Sequence, residues 1–428
     1  MSELVPKLRF EHFSSKWKKE VYGNIYSFNS TNSLSRENLN YVSGSVMNIH
    51  YGDIHTKFST IFNLNREVVP FINEDIDLSK IKSESYCQEG DLVIADASEN
   101  YNDIGKTIEI TCLHGKPTIA GLHTFLARPA PNTMAIGFAG YLMQSWSVRK
   151  QVMIIAQGTK VLGISTNRLK NITLTIPHYK EQQKIADFLT SVDTKISQLT
   201  EKHRLLQDYK KGVMQQIFSQ KIRFKDENGE AFPEWEVYSL LDISEGGLSN
   251  GVFNDPKMSG SGYKLINVKD MYVGNSIDYS KLTLLSLDEK TFKKNQVKYG
   301  DIFFTRSSLV PSGIAFSNVN LSNSDDITYD GHLIKLSPKL DIIVPIFLAY
   351  LLRSHIMRKA LVSRGKQSTM TTIGQEDIKN IPSYIPCLAE QQKIAQYLQA
   401  IDQKIAAVAE QIEQSKQFKK GLLQQMFV

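Results

Sequence analysis

Apolar side chains recur at alternating steps of four and three along residues 181–218: Ile185, Leu189, Val192, Ile196, Leu199, Leu206, Val213 and Ile217, with His203 and Lys210 on the same stripe. That spacing predicts a helix carrying a narrow coiled-coil seam. The stripe returns 209 residues later as Ile394, Leu398, Ile401, Ile405, Val408, Ile412, Ser415, Lys419, Leu422 and Met426. Segments 181–218 and 390–427 align without a gap and are identical at 17 of 38 positions, so they are copies of one ancestral piece. Pro177 and Pro386 stand just before each copy, and Glu181 and Glu390 fall at or near the first turn, where the helix dipole favours negative charge.

Each seam is expected to bury itself against the other. A parallel, in-register pair would press Lys210 onto Lys419, which is costly inside a seam. An antiparallel pair sends the lysines to opposite ends, leaves the middle apolar and satisfies a two-fold pseudo-symmetry between the halves of the chain. A helix of this length runs about 57 Å at about 1.5 Å per residue and is expected to act as a spacer.

The repeat divides the chain into a first globular block (1–177), a central helix (178–220), a second block (221–386) and a C-terminal helix (387–428). The blocks share landmarks in the same order. Lys7-Leu8-Arg9-Phe10 and Lys221-Ile222-Arg223-Phe224 open them as the same strand or turn, with Trp17 and Trp235 following. Gly90-Asp91 and Gly300-Asp301 each lead into an apolar run, then come His123 and His332, Tyr141 and Tyr350, and Lys170-Asn171-Ile172 and Lys379-Asn380-Ile381. Short β-branched and aromatic runs separated by Gly, Asn, Asp and Ser, with one apolar helix late in each block, predict mixed α/β domains of several short strands.

Composition adds little. A formal charge of +6 is compatible with a polyanionic partner without requiring one. Three cysteines outside any C-x-x-C pair predict neither a disulfide framework nor a thiolate zinc site, which fits a reducing cytoplasm. The N-terminus has no signal-peptide core, and the apolar stretches 134–146 and 342–352 are too short and interrupted to span a bilayer, so buried helices are expected.

Catalytic motifs fail on spacing. Gly105-Lys106-Thr107 lacks the upstream glycine of a phosphate loop and reads as a polar turn. Asn254-Asp255-Pro256-Lys257 lacks the second proline and the aromatic of an amino-methyltransferase motif and also reads as a turn. Asp288-Glu289-Lys290 has no Pro-Asp upstream to make a nuclease centre, while Asp193-Thr194-Lys195 and Asp402-Gln403-Lys404 lie on the predicted helices and read as solvated surface charges. His123 and His332 lack metal-ligand spacing and read as hydrogen-bonding residues. No catalytic centre or metal site is expected.

Taken together, the helix openings Ile176-Pro177…Glu181-Gln182-Gln183-Lys184-Ile185-Ala186 and Ile385-Pro386…Glu390-Gln391-Gln392-Lys393-Ile394-Ala395, the KLRF and KIRF openings, and the segment from Gly300 to Ser307 resemble the specificity subunit of type I DNA restriction-modification enzymes. The resemblance covers essentially the whole chain. It implies two target-recognition domains alternating with two helical repeats, binding a bipartite double-stranded DNA site, no catalysis, and assembly with two modification (adenine methyltransferase) subunits and restriction (ATP-dependent translocase and endonuclease) subunits. S-adenosylmethionine, ATP and Mg would belong to those partners. The competing reading is a coiled-coil scaffold joining two ligand- or protein-binding modules without nucleic acid.

DNA reading needs side chains that enter a groove. The candidates follow the Gly-Asp runs: Thr305, Arg306, Ser307 and Ser308 in the second block, with Asp96 and Ser98 at aligned positions of the first. Arginine matches guanine O6 and N7, and an aspartate accepts from cytosine N4. The loops at Gly158-Thr159-Lys160 and Gly365-Lys366-Gln367-Ser368-Thr369, and Lys106, are candidates for backbone phosphates. The helix length matches at most roughly 17 base pairs between half-sites, with one DNA turn of about 34 Å favoured.

Overall fold

The computed structural model describes residues 4–367 and 369–428. The chain forms two compact units, the first running to Glu201 and including Ala409–Val428, the second comprising Lys202–Val408. Each is mixed α/β.

In the first unit a five-stranded sheet has the order Tyr26–Asn29, Thr124–Pro129, Leu92–Ala95, Thr107–Cys112, Ile61–Asn63. In the second, a four-stranded sheet repeats the first four places as Ser244–Asn250, Leu333–Pro338, Ile302–Thr305, Ser317–Val319. The central strand of each is buried on both faces, which explains its unbroken apolar run. Leu92 and Ile94 join one apolar cluster with the helices, while Val93 and Ala95 join another beneath Phe58 and Phe62. Ile302 and Phe304 likewise face the helical cluster, and Phe303 the opposite one. A second small sheet in each unit contains a parallel pair, Thr118–Ala120 beside Met47–Ile49 and Ile327–Tyr329 beside Ser259–Ile266.

The apolar stretches before the long helices supply the largely buried helices Phe138–Gln144 and Pro345–Arg353, and each is followed directly by a second helix rather than standing alone. Phe138–Gln144 and Trp146–Ile155 are separated at Ser145, and Pro345–Arg353 and His355–Val362 at Ser354. Both serines take extended backbone, which breaks the helix, and Ser354 caps the next one by accepting from the Met357 N–H. Among the described residues no helix is long and apolar enough to cross a membrane.

The openings of the two blocks are not strands. Arg9 and Arg223 sit in irregular chain whose backbone is fixed by side chains rather than by a ladder. Arg9 donates to both oxygens of Glu181 at 2.7 Å, and the Trp17 indole N–H donates to the same carboxylate at 3.2 Å. Arg223 and Trp235 do the same to Glu390, at 2.9–3.3 Å. The strand after each tryptophan then pairs with the strand before each long helix, Lys18–Val21 with Thr173–Ile176 and Glu236–Ser239 with Pro382–Ile385. Both glutamates are fully buried, so they clamp the chain's openings to the helices besides meeting the helix dipole. Their neighbours Gln182 and Gln391 accept from the Ala135 and Val344 N–H groups and donate to the carbonyls of Pro177 and Pro386.

The long helices are Tyr179–Phe218 and Leu388–Gln425, packed together by the predicted seams. Ile185, Leu189, Leu199, Ile394, Leu398, Ile401 and Val408 are buried, and Val192, Ile196, Leu206, Ile405 and Ile412 are partly so. Within the first unit Ile185 and Leu189 share a cluster with Leu422 and Met426. Within the second, Ile217 and Phe218 share one with Ile394 and Leu398. Start meets end in both, so the helices are antiparallel.

The seam lysines have counter-charges. Lys419 reaches Asp193 at 2.7 Å, and Lys210 reaches Asp402 at 2.5 Å. Tyr141 donates to Asp193 at 2.8 Å and Tyr350 to Asp402 at 2.6 Å, with each ammonium over the corresponding ring. These aspartates are therefore not the solvated charges expected from the sequence: they tie a short domain helix to both long helices. Lys195 and Lys404 beside them do point to solvent.

Asp402→Ala should leave the Lys210 ammonium largely buried without its counter-charge and lower stability by about 3 kcal/mol, while the double change Lys210→Met with Asp402→Leu should recover most of it. Urea denaturation of the two variants beside the unmodified protein measures this. A second prediction concerns Glu109, fully buried beneath the Phe138–Gln144 helix, where burial pushes its pKa up to about 8 against the pull of the Gly137 and Gly140 N–H groups. The folded state holds this proton more tightly than the unfolded chain, so the contribution is present at low pH and is lost as pH rises from the ordinary carboxyl value through about 8. Melting temperature should therefore fall less steeply across that window in Glu109→Gln than in the unmodified protein.

Candidate functional site

The Gly-Asp turns set the site up. Gly90 and Gly300 hold φ of +94° and +89°, a conformation that favours glycine. Buried Asp91 and Asp301 close the turns by accepting from the N–H groups of Gln88 and Lys298 at 2.8 Å. Each turn launches a four-residue buried strand that ends at a corner.

The corner residues are Asp96 and Arg306, and their backbones are held identically. The Asp96 N–H donates to the His123 carbonyl and its own carbonyl accepts from Ile164; the Arg306 N–H donates to His332 and its carbonyl accepts from Ile373. The chain there leaves the main sheet. Ala97–Ser98 pairs instead with Leu162–Gly163, and Ser307–Ser308 with Thr371–Thr372, which also pairs with Lys366–Gln367. Residues that lie about 60 apart in sequence are thus brought into one small outlying sheet per unit.

The Arg306 side chain is exposed and has no hydrogen-bond or ion-pair partner among the described residues. Beside it, the exposed His332 ring meets Asp330 at 2.8 Å. In the first unit the corner carboxylate of Asp96 meets the His123 ring at 3.2 Å, and burial raises the pKa of Asp96 against the opposing effect of that histidine. Tyr51 stands edge-on to His123 with ring centres 5.3 Å apart. Both histidines are hydrogen-bonded, as expected, but on the surface. One unit therefore presents a guanidinium at its corner and the other a carboxylate.

Ser307, Thr159, Lys160, Lys366 and Gln367 also reach solvent; Lys366 contacts Asp377 at 3.1 Å while remaining largely exposed. Thr159 and Lys160 form the tip of a tight hairpin in which Gly158 has φ +130°, and a Cβ there would lie 1.9 Å from the Val161 carbonyl oxygen. Ser368 lies outside the described residues. Three candidates serve the loop instead of facing outward. Ser98 and Ser308 turn their hydroxyls back to accept from the N–H groups of Asn100 and Val310, and the Lys106 ammonium donates to the His55 carbonyl at 2.6 Å. Thr305 must be removed from the set. It is fully buried, donating to the Gly313 carbonyl and accepting from the Phe316 N–H, because it is the last residue of a strand buried on both faces.

The segments tested for catalysis are structural. Asp255 accepts from the Lys257 N–H to make a turn, and Asp288 caps a short helix by accepting from Thr291. Among the described residues no group of three or more His, Cys, Asp or Glu is arranged to hold a metal. Sequence reasoning missed Arg149 and Arg358, whose guanidinium groups lie under the loops that follow the corners. Their signal was available: the pairs Ser145 with Arg149 and Ser354 with Arg358 keep the 209-residue offset of the helices.

Residues 44–207 and again 233–416 match the family described as the type I restriction modification DNA specificity domain. The MjaVIII specificity subunit of Methanocaldococcus jannaschii is 26% identical over 277 residues, 62% of this chain and 64% of that subunit, so the alignment spans slightly less than two thirds of the relative. The EcoKI specificity subunit of Escherichia coli K12 is 24% identical over 334 residues, covering 76% of this chain and 69% of that one. The crystal structure of a type I restriction-modification S subunit from M. genitalium aligns over 99% of both chains with a TM-score of 0.57 at 14% identity, a likeness of fold. With both halves of the repeat matched and each match ending inside a long helix, the chain belongs to the family of type I restriction-modification DNA specificity subunits.

Proposed function

We propose that this chain is the sequence-reading subunit of a type I restriction-modification complex, in which each unit reads one half of a bipartite duplex target. The observation that carries the proposal is the repeated corner: one backbone arrangement, reached by the same turn and strand, offers Arg306 in one unit and Asp96 in the other. An exposed guanidinium without an ion-pair partner among the described residues suits guanine O6 and N7, whereas Asp96 steadied by His123 suits an amino donor such as cytosine N4. Lys160 and Lys366, on the hairpins that pair with the corners, suit phosphates. The subunit itself is non-catalytic. Two modification subunits and the restriction subunits would assemble on it and bring S-adenosylmethionine, ATP and Mg, and the paired helices would set the spacing between half-sites.

Arg306→Ala should weaken binding to the target duplex by about 1–3 kcal/mol and relax the preference at one base pair, while Lys160→Ala should weaken all duplexes alike and reduce the salt slope by about one. Anisotropy titrations across a salt series separate the two, and unchanged discrimination in Arg306→Ala would remove it as a reader. Inserting one heptad into the middle of each long helix keeps the seams in phase and adds about 10 Å, so the spacer between methylated half-sites should grow by roughly three base pairs. Sequencing the methylated adenines gives the answer; an unchanged spacer would mean that the helices do not set it.

A further inference from the structure

We infer that Arg358 and Arg149 are positioning residues for half-site reading: each holds the loop beyond a corner in its reading conformation without touching DNA. This rests on the proposal that the two units read DNA. The geometry is repeated. From the His355–Val362 helix, Arg358 donates to the carbonyls of Ala315 at 2.6 Å, Ser312 at 2.9 Å and Ile314 at 2.7 Å. From the Trp146–Ile155 helix, Arg149 donates to Ile104 at 2.7 Å, Asn102 at 3.0 Å and Tyr101 at 3.3 Å. The aligned carbonyls Asn102 and Ser312, and Ile104 and Ile314, are bound in both units.

These guanidinium groups differ from ordinary structural arginines. Burial lowers the pKa of each, and among the described residues neither forms a salt bridge with a carboxylate. Their charge is met by backbone dipoles of an irregular loop, carbonyls that would otherwise lack partners. A planar fork can meet three carbonyls spread along one turn; a single ammonium cannot hold the same set in place.

The loop of the second unit bears a strain that the clamp opposes. Ala315 has φ +48°, a left-handed conformation unfavourable for a residue with a Cβ, and the aligned residue in the first unit is Gly105, at φ +65°. The alanine is held from both sides, its N–H donating to the Thr305 carbonyl and its own carbonyl taking Arg358. Drawing the carbonyls inward turns the opposite edge of the loop outward. Leu309, 81% exposed, and Val310 are exposed on the loop after the corner in the second unit, and Tyr101 on that in the first. Such side chains can contact a thymine methyl or a base step only if the backbone beneath them is fixed.

The test uses the full chain with its modification subunits and three duplexes: the site defined by its own methylation pattern, and two versions with one half-site scrambled. Arg358→Lys should lose about tenfold in discrimination at one half-site only, with the other half-site and the salt slope for non-specific duplex unchanged, and Arg149→Lys should do the reverse. General destabilisation would weaken both half-sites together and would overturn the inference, as would full discrimination in both variants. Ala315→Gly, which suits the left-handed backbone, should restore part of the lost discrimination to Arg358→Lys, and its failure to do so would count against the clamp. Should Arg358→Lys fail to fold, Arg149→Lys and the Ala315→Gly, Arg358→Lys double variant carry the same test. A wild-type complex that discriminates at neither half-site would instead refute the DNA-reading proposal itself.

Discussion

A carboxylate flanking the seam of each long helix is the constraint on which both units depend. Asp193 takes the Lys419 ammonium from the other helix and the Tyr141 hydroxyl from a domain helix; Asp402 takes Lys210 and Tyr350. A single charge on each helix thus answers two demands. It neutralises a lysine that would otherwise sit uncompensated between apolar residues, and it fixes the domain helix at one height on the rod. Leucine zippering alone would tolerate a slip by one heptad, because the apolar contacts would be nearly equivalent. A charged pair that meets only in one register does not tolerate it, since a slip would strand both charges.

The buried glutamates at the helix openings complete the arrangement. Glu181 and Glu390 each satisfy a guanidinium and an indole N–H from the start of the same block, so a block is closed at its first and last residues by one side chain. Desolvating a carboxylate is costly, and here three charge-assisted or polar donors offset that cost. The motif residues recognised in the sequence, Arg9 with Trp17 and Arg223 with Trp235, turn out to be the other half of the helix-opening motif.

Much of this was legible in the chain before folding, and the physical reason is periodicity. The seams, their direction and the order of landmarks follow from spacing and from the cost of opposing Lys210 to Lys419. What could not be read depends on contacts far apart in sequence. Asp193 and Asp402 look like any solvated helix charge until the domain helix brings a tyrosine to them. Thr305 looked like a reader because it precedes Arg306 in a polar run, yet it still belongs to the strand buried on both faces. Ser98, Ser308 and Lys106 look available for DNA in the sequence, but local backbone groups take their polar atoms.

The corner explains why the units can differ where they must and agree elsewhere. At Asp96 and Arg306 the chain is held by its own N–H and C=O, bonded to the backbones of His123 and Ile164 or His332 and Ile373. No side-chain atom of the corner residue takes part in those bonds, although the Asp96 carboxylate separately meets the His123 ring. The residues around it carry the structural duties: a glycine at the turn, a buried aspartate closing it, an arginine under the following loop. Because the repeated geometry fixes the backbone through main-chain bonds, residues as unlike as aspartate and arginine can occupy the corner without a change of fold. A carboxylate and a guanidinium occupying the same corner of one molecule are the consequence of that division of labour.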